Sequence, residues 1–257
     1  MSRSIPELSP HFFEARDGAR LAYRELGAGR PVVLIHGFFS TATVNWVRYG
    51  HAEKIAASGF RVIMPDLRGH GDSAKPHDPA AYPPDVLTDD ALTLVETLGL
   101  DDFDLGGYSL GARTTVRMLA RGAAPRRAVV AGMGLEGILD SRGRGEFFRR
   151  ILVNPGSFPR GSAEWMAEAF LKTVGGDPVA LLAVLDTAVD TPAEMIARIR
   201  IPTLVAAGAE DRDNGSAASL AEAFEHGRYL ELPGNHMSAV AKPELGAAIV
   251  DFLEQRA

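Results

Sequence analysis

The apolar and polar positions of the chain alternate between short strand-like runs and longer helix-like stretches. Alternating segments at 11–16 and 19–25 flank Asp17-Gly18, a dipeptide that favours a two-residue hairpin, and predict an antiparallel opening pair of strands. Further on, compact apolar runs predict buried strands separated by helical periodicity. These strands are 31–35, 60–64, 103–105, 127–131, 203–207 and 228–232. The helices predicted beside them are 45–58, 84–98, 110–120, 216–224 and 243–256.

This order of elements predicts the fold class and the domain organisation. Parallel neighbours need crossover helices, so we expect an α/β fold with a mostly parallel, doubly wound sheet of about eight strands and an N-terminal antiparallel hairpin. The strand signal is lost between residues 135 and 200, where helical stretches at 145–152, 163–174, 178–185 and 192–199 follow one another. The prediction is a core of residues 1–134 and 201–257 with a helical cap inserted at 135–200.

Composition and charge narrow the function. The 257 residues are 46% hydrophobic and 23% charged, which is typical of a globular protein. A net charge of −6 disfavours nucleic acid, so the expected partner is a small molecule. The absence of cysteine excludes disulfides and a thiolate nucleophile. Since the start lacks the apolar run of a secretory signal, and no stretch approaches the roughly 18 apolar residues of a membrane span, we expect a cytoplasmic protein with no membrane partner.

The motif Gly107-Tyr108-Ser109-Leu110-Gly111 lies where a predicted strand gives way to a predicted helix. Such a tight turn strains the backbone of its central residue, and the flanking glycines avoid side-chain clashes. The Ser109 hydroxyl is then exposed at the carboxyl edge of the sheet, close to a helix N-terminus that stabilises an anion. The alternative is a Gly-Ser loop that only turns the chain. The placement favours a serine nucleophile.

A serine nucleophile needs a base within hydrogen-bond reach. The chain has seven histidines, and His236 follows the strand 228–232 through a short loop, at the edge where Ser109 emerges. Its alternative role is that of a histidine in a surface loop. We predict that His236 is the base.

The base in turn needs a carboxylate that orients it. Asp211 follows the strand 203–207 at the same edge and precedes His236, which gives the chain order Ser, Asp, His. Asp211 is therefore the predicted acidic member. Its rivals are Glu210, Asp213 and the more distant Glu136.

An oxyanion formed during acyl transfer needs N–H donors. The backbone N–H groups of Phe38, after the strand 31–35, and of Leu110, at the start of a helix, are the candidates. His36 invites interpretation as a metal ligand, but no second histidine or carboxylate lies at ligand spacing. We expect neither a metal nor a cofactor.

Taken together, the motifs resemble an α/β-hydrolase of the branch that contains esterases, haloperoxidase-like enzymes and C–C-bond hydrolases with a helical cap. The matching pieces are His36-Gly37-Phe38, the segment Asp66-Leu67-Arg68-Gly69-His70-Gly71-Asp72-Ser73, Gly107 to Gly111, Gly208 to Asp211, and Pro233-Gly234-Asn235-His236. They cover nearly the whole chain. The resemblance implies that Ser109 is the nucleophile, His236 the base and Asp211 the acid. It also implies an oxyanion hole formed by Phe38 and Leu110.

Three further positions are interpreted through this resemblance. The segment 66–73 is implied to be a structural turn, which keeps His70 and Asp72 out of the catalytic set. Asn235 stands where many relatives carry glycine, and it either braces the loop or hydrogen-bonds a ligand. Serine at position 109, instead of the aspartate that haloalkane dehalogenases and epoxide hydrolases use, disfavours those two reactions.

The predicted reaction is hydrolysis of a carboxylic ester through an acyl-enzyme intermediate. Hydrolysis of lactones, thioesters or C–C bonds, cofactor-free perhydrolysis, and ligand binding without catalysis stay open as alternatives, because a fold does not select a substrate. The side chains expected to line an apolar acyl pocket, or else to pack between helices, are Phe39, Met133, Phe147, Phe148, Trp165, Met166, Phe170 and Met237. Cap arginines that either hold a substrate carboxylate or form a solvated basic face are Arg142, Arg144, Arg149 and Arg150.

Overall fold

A computed structural model describes residues 7–255, and within them an eight-stranded sheet forms the centre of the molecule. The strands are β1 His11–Glu14, β2 Arg20–Leu26, β3 Arg30–Ile35, β4 Phe60–Pro65, β5 Asp104–Tyr108, β6 Ala128–Ala131, β7 Thr203–Gly208 and β8 Gly227–Leu232. Their order across the sheet is β1-β2-β4-β3-β5-β6-β7-β8. The pairs β1–β2 and β2–β4 are antiparallel, and the pairs from β4 to β8 are parallel. The predicted fold class is confirmed.

The helices agree with prediction where the apolar period is long enough to be recognised. They are α1 His51–Ala57, α2 Val86–Thr97, α3 Leu110–Ala120, α4 Leu135–Leu139, α5 Arg142–Val153, α6 Ala163–Val174, α7 Pro178–Leu185, α8 Ala193–Ile196, α9 Ala217–Ala223, α10 His236–Ala239 and α11 Pro243–Leu253. The predicted helix 45–58 is interrupted by Gly50, whose φ of 81° precedes α1, after a π-helical turn at Thr43–Val47. Two short helices, α4 and α10, were not predicted, because one turn shows no period.

Both faces of the sheet are covered by apolar layers, which explains the uninterrupted apolar runs of its central strands. Successive side chains of a strand point to opposite faces, so β3 contributes Val33 and Ile35 to one buried cluster and Val32 and Leu34 to the other. The first cluster includes side chains of α2 and α3, and the second includes side chains of α1 and α11. The carboxyl ends of the parallel strands therefore meet at one edge between two layers of helices.

The helices α4 to α8 lie between β6 and β7 and include the segment predicted as a cap. A separate apolar cluster joins Ile151 and Leu152 of α5 to Leu171 of α6 and Leu181 of α7. Phe39, from the loop after β3, completes this cluster and links it to the sheet. The division into core and cap at the stated boundaries stays a prediction.

Two sequence expectations concern the ends of the chain. The first six residues, on which the expectation of no secretory signal rests in part, lie outside the described residues, as does Arg256 at the end of the last predicted helix. Among the helices described, each is too short or too polar to cross a bilayer.

Candidate active site

Ser109 occupies a strained turn between β5 and α3. Its backbone angles are φ 56° and ψ −112°. A positive φ costs conformational energy in a residue that carries a side chain. Glycines make the turn possible, since a Cβ on Gly107 would collide with the backbone of Gly111, and a Cβ on Gly111 with the carbonyl of Ile35. The Ser109 N–H donates to the carbonyl of Ala131 on β6 at 2.8 Å. Neighbouring strands therefore hold the serine in this conformation.

A continuous line of hydrogen bonds joins the three side chains that the sequence singles out. His236 Nε2 lies 3.0 Å from Ser109 Oγ, and His236 Nδ1 lies 2.8 Å from Asp211 Oδ2. Because an ionised carboxylate can only accept, we assign the proton to Nδ1, which leaves Nε2 to accept from the serine hydroxyl. The structure thus brings together an alcohol, a base and a carboxylate in the order that nucleophilic catalysis requires.

The carboxylate of Asp211 is buried yet remains ionised. Burial raises its pKa, but hydrogen bonds from His236 and from the backbone N–H of Asp213, together with the charge of Arg144, outweigh the effect and hold the pKa below its usual value. Its second oxygen, Oδ1, accepts the backbone N–H of Asp213 at 3.0 Å. Both oxygens therefore have donors, and the carboxylate is fixed in orientation.

The three rival acidic residues have other partners or positions. Glu136 accepts the Ser216 N–H at 2.7 Å, Asp213 pairs with Arg144 at 2.6 Å, and Glu210 is exposed. Ligand atoms of Asp211, Asp213 and His236 do lie within 4.8 Å of one another, as a cation site requires. The hydrogen bond of His236 and the ion pair of Asp213 already engage these groups.

The loop that positions His236 is braced from two directions. Asn235 Oδ1 accepts the N–H groups of Met237 and Ser238 at 3.1 and 3.0 Å, and Ser238 Oγ accepts the Asn235 N–H at 2.9 Å. This reciprocal arrangement caps α10. From the other side, the Tyr108 hydroxyl donates to the carbonyl of His236 at 2.6 Å. Asn235 therefore braces the loop, and Tyr108 is a supporting residue whose role the sequence analysis missed although it lies beside Ser109.

Replacing Asn235 with alanine is expected to lower the free energy of unfolding by about 1 kcal/mol, since two N–H groups lose their acceptor. The rate of a reaction that uses His236 as the base should fall severalfold, because His236 is the first residue of the helix that Asn235 caps. Urea denaturation and steady-state kinetics measure the two effects. The control is Asn235→Asp, which keeps the acceptor oxygen and should retain wild-type stability. An Asn235→Ala protein as stable as the wild type would contradict a capping role.

The backbone donors predicted for an oxyanion lie next to Ser109. Gly37 approaches so closely that a Cβ there would be 3.4 Å from the Cβ of Ser109. Phe38 follows it, and a positive φ of 59° at Phe39 turns the chain directly afterwards. Leu110 begins α3, where an N–H has no partner within the helix. Within residues 7–255, neither the Phe38 nor the Leu110 N–H is bonded to a protein acceptor.

His36 supports this loop through two hydrogen bonds. Its Nδ1 lies 2.8 Å from the Gly37 carbonyl, and its Nε2 accepts the Leu67 N–H at 3.0 Å. Burial lowers the pKa of His36, so the ring is neutral and suited to accept one bond and donate the other. The segment 66–73 is likewise tied into the core, because Asp66 accepts the Ala42 N–H at 2.8 Å and pairs with Arg24.

A cavity lies beside Ser109, and its walls include residues of the helices α2, α3, α5 and α7. It is small, about 80 Å³. Its lining includes the serine, both candidate oxyanion residues, and the predicted pocket residues Met133 and Phe148. The charged residues of its lining are Asp85, Arg113, Arg117 and Arg144.

Six residues predicted for the pocket are not among the residues that line this cavity. They are Phe39, Phe147, Trp165, Met166, Phe170 and Met237. Phe39 packs into the apolar cluster of the inserted helices from the loop after β3. Phe147 and Phe170 pack in the same cluster, because the helical spacing that would build a pocket wall also builds a helix interface. Trp165, Met166 and Met237 are 37%, 56% and 54% exposed.

Of the four arginines expected to hold a carboxylate or form a basic face, Arg144 alone lines the cavity. The other three pair with acidic side chains and are substantially exposed. Their partners are Asp140 for Arg142, Asp186 for Arg149 and Glu164 for Arg150.

Comparison with known proteins assigns the family. A sequence profile described as alpha/beta hydrolase fold matches residues 30–165, which is more than half of the chain. The chain belongs to the α/β-hydrolase family. The matched part contains the loop after β3, the strained turn at Ser109 and the start of the inserted helices, so the resemblance inferred from the motifs is confirmed.

Individual relatives match this α/β-hydrolase over less than half of their own length. The AB hydrolase superfamily protein YisY of Bacillus subtilis (strain 168) is 30% identical over 112 residues, which are 43% of this chain and 40% of that protein. The non-heme chloroperoxidase CPO-A1 of Kitasatospora aureofaciens is 35% identical over 111 residues, which are 41% of this chain and 37% of that protein.

Solved structures match the α/β-hydrolase over nearly its full length. A hydrolase from Pseudomonas aeruginosa PA01 superimposes with a TM-score of 0.79 at 25% identity, covering 96% of this chain and 98% of that chain. A thermophilic esterase from Thermogutta terrifontis gives a TM-score of 0.75 at 24% identity, covering 96% and 98%. Because its sequence identity is below 25%, the similarity to this esterase shows the fold alone.

Proposed function

We propose that this α/β-hydrolase hydrolyses short carboxylic esters through an acyl-enzyme on Ser109. The observation that supports it most directly is the line of hydrogen bonds from Ser109 Oγ through His236 to Asp211. A serine hydroxyl is a weak nucleophile, and a positioned imidazole activates it at neutral pH. Among the relatives, the AB hydrolase superfamily protein of Bacillus subtilis and the hydrolase of Pseudomonas aeruginosa agree with a hydrolytic reaction.

In the first half-reaction, Ser109 Oγ attacks the ester carbonyl while its proton moves to His236 Nε2. Asp211 stabilises the imidazolium that forms, and its carboxylate accepts the hydrogen bond from the N–H at His236 Nδ1. The N–H groups of Phe38 and Leu110 face the oxygen on which negative charge develops. His236 then protonates the leaving alcohol, the C–O bond breaks, and the acyl group stays on Ser109.

In the second half-reaction, water replaces the alcohol. His236 takes a proton from this water, and the resulting hydroxide adds to the acyl carbon at the same oxyanion site. Collapse of the intermediate returns the proton to Ser109 Oγ and releases the carboxylic acid. The small cavity volume of about 80 Å³ favours acyl groups of a few carbon atoms.

A fluorophosphonate probe tests the proposal directly, because an activated serine displaces fluoride and forms a stable Ser–O–P bond. We expect one adduct per chain, on the peptide that contains Ser109, with loss of p-nitrophenyl acetate hydrolysis in step with labelling. Intact-mass and peptide mass spectrometry measure the adduct. Ser109→Ala is the matched control and should remain unlabelled. A wild-type protein that neither labels nor hydrolyses the ester would refute the proposal.

A further inference from the structure

Arg113 is a buried arginine in the wall of the cavity that contains Ser109. It lies one turn along α3, where its backbone N–H donates to the Ser109 carbonyl at 3.0 Å. Its side chain is 10% exposed, and its Nη1 atom is buried with no hydrogen-bond acceptor. Asp190 Oδ1 lies 3.9 Å from Nη1, beyond hydrogen-bond length. That oxygen already accepts the Ser141 N–H at 2.9 Å.

The neighbouring arginines, Arg117 on α3 and Arg121 directly after it, are paired. Arg117 donates to both oxygens of Asp85 at 3.2 and 2.5 Å, and Arg121 donates to Asp85 and to Asp89. Arg113 has the charge of Asp190 opposite it at 3.9 Å but no hydrogen bond, and a buried N–H group without an acceptor costs free energy that a bound ligand can recover by accepting from it. Unlike these two arginines, Arg113 therefore has a buried N–H group without a hydrogen-bond acceptor.

The charged side chains that line the cavity are mostly positive. They are Arg113, Arg117 and Arg144 against Asp85, and the carboxylates of Asp190 and Asp213, which face Arg113 and Arg144, lie outside the lining. Asp85 is already engaged by Arg117, and Arg144 Nε is a second buried N–H group without an acceptor. Burial lowers the pKa of Arg113 to about 10, so the guanidinium remains protonated at neutral pH.

We propose that the substrate has a free carboxylate that binds to Arg113, which makes short monoesters of dicarboxylic acids the preferred substrate class. This inference rests on the proposed ester hydrolysis at Ser109. Four residues of helix span about 6 Å along the axis, which suits a carboxylate two or three bonds beyond the scissile carbonyl. A planar guanidinium binds a carboxylate through two parallel hydrogen bonds, which would supply the acceptor that Nη1 lacks.

A pair of esters of equal size tests the inference. Methyl 4-methylpentanoate has an isopropyl group in the place where monomethyl succinate has its carboxylate. Hydrolysis of either ester releases one proton at pH 7.5. We expect kcat/KM, measured by pH-stat titration, to be at least tenfold higher for monomethyl succinate. Arg113→Met should remove this preference by lowering kcat/KM for the anionic ester at least tenfold, with less than a threefold change for the neutral ester.

Control variants separate binding from folding and from overall charge. Arg121→Met removes one positive charge directly after the same helix and outside the cavity lining, and it should leave both rates unchanged. Arg113→Lys keeps the charge but loses the planar fork, so it should retain part of the preference. If Arg113→Met fails to fold, the ratio of kcat/KM for the two esters, measured in the wild type and in Arg113→Lys, still tests the inference. Equal rates for the two esters in the wild type, or equal losses for both in the variants, would overturn the inference.

Calorimetry on the Ser109→Ala protein distinguishes failure of this inference from failure of the proposed function. Monomethyl succinate should bind to Ser109→Ala and at least tenfold more weakly to the double variant with Arg113→Met. Hydrolysis of the neutral ester together with no binding of the anionic one would overturn the carboxylate site and leave ester hydrolysis standing. Binding of the anionic ester without hydrolysis of either would refute the hydrolase proposal and support the carboxylate site.

Discussion

Replacing Ser109 with alanine is expected to lower kcat for p-nitrophenyl acetate at least about 10⁴-fold. The substitution removes the oxygen that lies 3.0 Å from His236 Nε2, so no acyl-enzyme can form. Residual hydrolysis then depends on water, assisted by the N–H groups of Phe38 and Leu110, which contribute far less without a nucleophile. Release of p-nitrophenolate, followed at saturating ester, measures the loss.

The structure also predicts that this loss is unaccompanied by unfolding. Alanine is smaller than serine and keeps the backbone N–H that donates to Ala131, so the thermal midpoint of Ser109→Ala should stay close to that of the wild type. Ser58→Ala, at the end of α1 and away from the cavity, is the control and should retain full activity. A Ser109→Ala protein that hydrolyses the ester at the wild-type rate would place the reaction on another group.

The elements that the sequence predicted well are those with a clear period and clear ends. Helices α3, α6 and α7 begin and end at the predicted residues. Asp177, followed by proline, accepts the N–H groups of Val179 and Ala180, a side-chain cap that makes the start of α7 recognisable. The sheet follows from its apolar runs, since strands buried on both faces show no alternation.

For the carboxyl edge of the sheet, the sequence predicted which types of side chain lie there but not the exact position that faces the site. Strand ends place Asp211 and His236 within a residue or two of the site, while the choice between Asp211 and Asp213 depends on turn geometry. The Asp211 N–H donates to the Gly208 carbonyl at 2.9 Å, a turn that directs one of the two carboxylates to the imidazole. A tight turn of this kind is not specified by composition.

The cavity walls were the least predictable part, because they depend on how the inserted helices pack against one another. Aromatic spacing in α5 and α6 indicates a buried face without showing which neighbour covers it. Arg113 was overlooked although a usable signal was present, since residues four apart in a helix share a face, and Arg113 is four residues after Ser109. Counting from a suspected nucleophile along its helix would have identified it.

Replacing Asp211 with asparagine is expected to lower kcat about 10³- to 10⁴-fold while the fold remains intact. The amide can donate to His236 Nδ1, which moves the ring proton to Nε2 and leaves no acceptor for the Ser109 hydroxyl. It also withdraws the negative charge that stabilises the imidazolium in the transition state. Stopped-flow or steady-state hydrolysis of p-nitrophenyl acetate measures kcat, and fluorophosphonate labelling should slow in proportion, since both require an activated serine.

The matched control is Asp213→Asn, two residues along the same turn. Asp213 pairs with Arg144 and offers Asp211 a backbone N–H, which asparagine retains, so the loss of activity should be less than tenfold. Equal losses in the two variants would mean that the net negative charge of the turn acts on His236. A large loss of activity in Asp213→Asn, without one in Asp211→Asn, would mean that Asp213 is the carboxylate that orients His236. The 2.8 Å bond between His236 Nδ1 and Asp211 Oδ2 predicts neither outcome.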